Sequence, residues 1–124
     1  MSLNFEVYQN DKLIFQSPAH WLHPIFEFET FLNSNTILAE SLSVRDKIIG
    51  RAAALLLVRL EIQQLHAATL SKAGQEVLEH FKIKFSYDQL ADKIGCQTEN
   101  LLKDEFDPET AHQLIKKRIE ENKS

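Results

Sequence analysis

The sequence predicts an α/β domain in which a mixed sheet starts with a β-hairpin and carries helices on both faces. Three observations predict it. Near the start, Leu3, Phe5 and Val7 alternate with Asn4, Glu6 and Tyr8, the two-residue period of a half-buried strand. Residues 43–60, SVRDKIIGRAAALLLVRL, open with charges and then run apolar on nearly every side, as a helix buried in a domain centre does. From there to residue 87, helical and extended segments alternate. That alternation implies a crossover unit with parallel strands.

Taken in order, residues 3–16 form the hairpin, with Asn10-Asp11 as its two-residue turn, since both residues tolerate left-handed backbone angles. Pro24 suits the first turn of a helix carrying Ile25, Phe26, Phe28, Phe31 and Leu32, and Asn33-Ser34-Asn35 closes it. Residues 36–42 fit either a short strand or an irregular approach to the central helix. Ser43 with Asp46 three residues later is a capping-box arrangement that starts the central helix near Val44 and carries it to about Leu60. Residues 62–69 read as a largely buried strand. Ser71 caps the next helix, whose buried face is Ala73, Val77, Leu78 and Phe81. Residues 82–87 alternate, with Ile83, Phe85 and Tyr87 inward, and a short helical piece spans 88–94 before Gly95-Cys96. Asp107-Pro108 starts the last helix, on which Ala111, Leu114, Ile115 and Ile119 form the apolar face.

Composition excludes several classes. The 124 residues read as a single domain over 1–124, long enough to bury a core without disulfides, and one cysteine rules out both an internal disulfide and a multi-cysteine zinc cage. A net charge of -4 argues against a general nucleic-acid binder, although Lys47, Arg51 and Lys72 remain able to form a local basic patch. MSLNFEVYQNDK lacks the basic start and apolar run of a signal peptide, and the apolar run 52–58 is too short to span a bilayer. A cytoplasmic protein without membrane attachment is expected.

Candidate chemistry gathers where strands end and helices begin, because ligands of open α/β sheets sit at the carboxyl ends of strands. Thr69, Ser71 and Lys72 bring two hydroxyls, a cation and helix N–H groups together as an anion cradle; the plain alternative is a cap with a solvated lysine. Lys47 and Arg51, four residues apart, share a helix face, though long side chains also reach water without a partner. Asp46 has the capping box as its structural role. Gly50, inside a helix, marks tight packing or room for a ligand. Cys96, with Glu99 three residues on, is a candidate nucleophile, yet no histidine is adjacent and a lone cysteine usually behaves as a small buried residue. His20-x-x-His23 has a metal-like spacing without a third ligand, beside Trp21 and Pro24, which suggest packing instead. His66 reads as a satisfied or edge residue, and His80 and His112 as residues on solvent-leaning helix faces. Neither a metal nor a cofactor is expected.

Asp46-Lys47-Ile48-Ile49-Gly50-Arg51-Ala52-Ala53-Ala54 resembles the signature of a small bacterial family of uncharacterised domains assigned a cytidine-deaminase-like fold. The likeness continues through 62–69, 71–81, Ile83 to Tyr87 and Asp107-Pro108-Glu109. It implies a three-layer fold with a pocket where the helices from Val44 and Ser71 face each other. Arg51 replaces the family's more usual lysine. Gly95-Cys96-Gln97-Thr98-Glu99 is similar to the family's Cys-Pro-Met-Glu segment but lacks the proline and methionine. Zinc deaminases need His-x-Glu on the central helix and Pro-Cys-x-x-Cys on the next; neither is present, so zinc-dependent deamination is disfavoured.

The leading expectation is a metal-free, deaminase-like protein binding a small anionic or nucleotide-like molecule. Lys47, Arg51, Thr69, Ser71 and Lys72 would position negative charge, with Glu99 nearby. Asp46 would orient Lys47 or accept from a base or ribose. The alternatives are a metal-independent enzyme using Cys96 with Glu99 or Asp46 as proton acceptor, and an interaction module without catalysis. The hairpin's exposed alternation leaves room for a homodimer.

Overall fold

The computed structural model describes residues 5–17, 22–35, 37, 41–92 and 106–121. Its elements are β1 (Phe5–Gln9), β2 (Lys12–Ser17), α1 (His23–Ser34), β3 (Leu42–Ile49), α2 (Arg51–Arg59), β4 (Gln64–Ser71), α3 (Lys72–His80), β5 (Lys84–Ala91) and α4 (Pro108–Glu121). Asn10 and Asp11 turn the first hairpin with φ of 52° and 69°, the left-handed pair that matches strand twist in a two-residue loop. The five strands lie in the order β2-β1-β3-β4-β5. β1 is antiparallel to β2 and β3, whereas β3, β4 and β5 are parallel.

The central segment departs from its sequence reading. Residues 42–49 are a strand, not the first half of a helix, and α2 begins only at Arg51. The capping box of Ser43 and Asp46 therefore does not exist, and Lys47 and Arg51 share no helix face. Gly50 is the extended N-cap of α2 rather than a residue inside it. Val44, Ile48 and Ile49 are β-branched, and a Val/Ile-rich run before a glycine satisfies strand preferences better than helical ones. Residues 88–91 extend β5, so the short helical piece expected there is strand at its start. Tyr87, expected inward, is 39% exposed.

Residues 51–57 are buried without a break. Burial on all sides requires neighbours on all sides, and α2 packs on β3, α3 and α4 and touches α1. Alanines at 52–54 allow those close approaches, and Leu55, Leu56 and Leu57 fill the space beyond. Arg59 ties the group together, its Nη1 2.6 Å from Glu29 Oε2 of α1 and its Nε 3.0 Å from Glu109 Oε2 of α4. Desolvation opposes the charge of Arg59, but the two carboxylates outweigh it and raise its pKa. Both crossovers step the same way along the sheet, which puts α2 and α3 on one face when the connections are right-handed. The described helices thus gather on one face. On the other, Arg45, Lys47, Gln64, Lys84, Ser86 and Asp88 are exposed.

The flanking helices form as their sequences require. Pro24 sits in the first turn of α1, and Phe28 meets Phe5 and Phe15 at ring-centre distances of 5.8 and 5.5 Å. Asp107 caps α4, accepting from Glu109 N at 3.2 Å and from Thr110 Oγ1 at 2.6 Å. No helix among the described residues is long and apolar enough to cross a membrane.

Candidate functional site at the strand ends

The ends of β3 and β4 deliver two helix N-termini side by side. Ser71 accepts from Gly74 N at 2.9 Å and so caps α3 from within the buried core. Gly50 gives α2 no side-chain cap. The two starts touch: a Cβ on Gly74 would lie 3.1 Å from the carbonyl carbon and oxygen of Gly50 and 3.2 Å from Ile49 O. Only a glycine fits that approach without moving backbone. Both positive helix ends consequently point to one region.

The expected cradle is largely occupied by the fold itself. Arg51 is 1% exposed; its Nη1 lies 3.1 Å from Glu76 Oε1 and 3.5 Å from Ala73 O, both on α3. Its guanidinium carbon lies 4.4 Å from the ring centre of Phe106, a cation–π contact. Arg51 therefore joins α2 to α3 under an aromatic cover. Lys72 Nζ is 2.7 Å from Asp92 Oδ1, a contact that raises the lysine pKa and lowers that of the aspartate. Both groups are exposed, so the pair contributes little to stability. Lys47, Arg51 and Lys72 do not form a shared basic patch. Thr69 is half-buried in the row between Ile48 and Gln89.

Asp46 is the chemically distinctive residue. It lies half-buried in β3, in the row of Ala67 and Tyr87. Burial pushes its carboxyl from 3.8 up to about 6, against the opposing effect of a 2.7 Å hydrogen bond from Lys47 N. It can therefore exchange a proton near neutrality, as a general acid or base must. Lys47 itself is exposed. Cys96 and Glu99 lie outside the described residues, as does His20.

Three features had no forecast in the sequence. Glu76 and Phe106, which hold Arg51, stand 25 and 55 residues from it along the chain. An open groove of about 470 Å³, lined by Tyr8, Asn10, Asp11, Ser43, Arg45 and Gln64 among others, lies at the opposite ends of β3 and β4, beside the hairpin turn. Across the polar sheet face, Ser86 Oγ is 2.7 Å from His66 Nδ1, and His66 Nε2 is 3.3 Å from Asp88 Oδ1. The order serine, histidine, aspartate is that of a nucleophilic triad, but Ser86 and Asp88 lie exposed in mid-strand, with no helix N-terminus at that row to supply an oxyanion hole. The row satisfies His66 instead. His80 packs on Phe81 and Phe106, and half-buried His112 approaches Glu29 at 3.6 Å. Among the described residues no group of three or more His, Cys, Asp or Glu is placed to hold a metal.

Residues 4–119 match the family model described as TM1506, domain of unknown function (DUF1893). The chain belongs to the DUF1893 family. The crystal structure of a DUF1893 family protein (TM1506) from Thermotoga maritima is similar to it, with a TM-score of 0.81 and 26% identity, over 94% of this chain and 80% of that one. No curated protein matches.

Proposed function

We propose that this DUF1893 chain is a metal-free, deaminase-like domain that binds a small nucleotide-like molecule at the ends of β3 and β4. The strand order β2-β1-β3-β4-β5, with β1 antiparallel to its neighbours, supports a deaminase-like scaffold. The residues do not fit zinc. α2 opens Gly50-Arg51-Ala52-Ala53 and α3 opens Ser71-Lys72-Ala73-Gly74, so the thiolate, imidazole and glutamate that such chemistry requires are missing from both helix starts. No step of deamination through a metal is assigned.

The observation that carries the proposal is Asp46. A carboxyl kept half-buried and raised to about 6 opposes folding at neutral pH, and such groups concentrate at sites where a ligand or proton is handled. Asp46 binds a base or amine, and Thr69 with the uncapped start of α2 receives the anionic part. Arg51, Ser71 and Lys72 form the frame of that site rather than its contacts. The raised carboxyl also suits the second reading, in which Asp46 accepts a proton in a metal-independent reaction involving Cys96.

Titration calorimetry with adenosine, cytidine, their monophosphates and inorganic phosphate tests this reading. Saturable binding of a nucleotide, weakened about tenfold or more by Thr69→Val and by Asp46→Asn, is expected. Absence of binding by every compound, or binding that both variants leave unchanged, refutes it.

A further inference from the structure

The outer edge of β5 carries a second kind of information. Among the described residues β5 pairs only with β4. Its eight residues, KFSYDQLA, contain no proline or glycine, the devices that usually blunt an edge. The opposite edge, β2, is shorter, and its pairing with β1 is interrupted by a register shift between Val7 and Tyr8. Ser86 and Asp88 both reach His66, so they share the polar face with Lys84. Phe85 and Tyr87 stack with ring centres 6.5 Å apart on the other.

The geometry points to a symmetric dimer in which β5 of one copy pairs antiparallel with β5 of a second copy of this chain, about a dyad at Ser86. In that register Lys84 stands opposite Asp88 of the other copy, twice over. Phe85 stands opposite Tyr87, also twice. Both pairs keep to one face each, as an antiparallel ladder requires. Dyads at Tyr87 or Asp88 oppose Lys84 to Leu90 or to Asp92 and break up the aromatic pairs, so the sequence of the edge selects the dyad at Ser86. Lys84 has no ion-pair partner among the described residues, and Asp88, whose Oδ1 meets His66, is 71% exposed. Two aromatic pairs, two charge pairs and a continuous ladder make the edge self-complementary, as a two-fold interface must be.

Sedimentation velocity from about 5 to about 500 µM, spanning the range expected of a small interface, reads the assembly. A monomer–dimer equilibrium is expected for the wild type, with dissociation about tenfold weaker affinity in Lys84→Glu and in Asp88→Lys. The double variant K84E/D88K restores opposite charges and should recover the wild-type value. A disulfide test reads the register independently of charge. In a Cys96→Ser background, Ser86→Cys faces its own copy at about 5 Å between Cα atoms, within disulfide reach, whereas Gln89→Cys lies about 20 Å from its copy. Oxidative cross-linking of the first and not the second is expected. A wild type that stays monomeric throughout, or cross-linking that is absent or equal in the two variants, overturns the proposal.

Discussion

Replacing Asp46 with asparagine should stabilise the protein, and the gain should depend on pH. Asparagine keeps an oxygen to accept from Lys47 N but removes the charge that burial opposes. The carboxyl moves from 3.8 to about 6 on folding, which corresponds to at most about 3 kcal/mol of lost stability at pH 7. Below 3.8 both states are protonated and the wild type carries no penalty. Between 3.8 and about 6 the folded chain holds a proton that the unfolded chain has released, so stability falls as pH rises. Above about 6 the penalty is constant. Urea unfolding of wild type and Asp46→Asn at a series of pH values isolates this group from the others. The advantage of the variant should grow by about 2 kcal/mol between pH 4.5 and 8. Near pH 8 it should raise Tm by up to about 10 °C, given an unfolding entropy of about 2 cal/mol/K per residue. A variant no more stable than wild type at pH 8, or an advantage that does not change with pH, refutes the account of Asp46.

Two further outcomes follow from the packing. Gly74→Ala should destabilise by about 1–3 kcal/mol in chemical denaturation despite alanine's better helix propensity, because its Cβ meets the Gly50 backbone at 3.1 Å; a stabilised variant would show that the junction yields. His112 has its pKa lowered, first by burial and then by Arg59, so the folded chain binds its proton later than the unfolded chain as pH falls. Stability should therefore drop as pH decreases below 6.5. In His112→Gln that contribution should vanish, as Tm measured across pH 5–8 will report.

The elements flanking the centre were legible because their boundaries are chemical. Asn10-Asp11, Pro24, Ser71 and Asp107-Pro108 each impose a local conformation that no neighbour needs to supply, and all four act as read. The parallel pairing of β4 with β5 was legible too, from helix and strand in alternation. The centre was not. β3, Gly50 and α2 read as one apolar run, since a short buried strand and a buried helix cannot be separated by hydrophobicity alone. The strand also hides its period: Lys47 and Ile48 are both exposed before Ile49 turns in, so its alternation slips by one residue where it would have been most useful.

That slip relocated the candidate site. Asp46, Lys47, Thr69 and Ser71 were recognisable as polar residues near strand and helix ends, and they do lie on β3 and β4. Whether a cation points into a site or into the fold depends on groups far away in the chain, and Arg51 meets Glu76 and Phe106 only through tertiary packing. By itself, the sequence determined the α/β class, the hairpin, the caps at Ser71 and Asp107 and the absence of zinc-ligating motifs at the two helix starts. Those depend on local backbone preference and on which side chains exist. The tertiary structure alone decided the strand at 42–49, the abutting helix starts and the desolvation of Asp46, because burial and charge pairing are properties of neighbours brought together from distant parts of the chain.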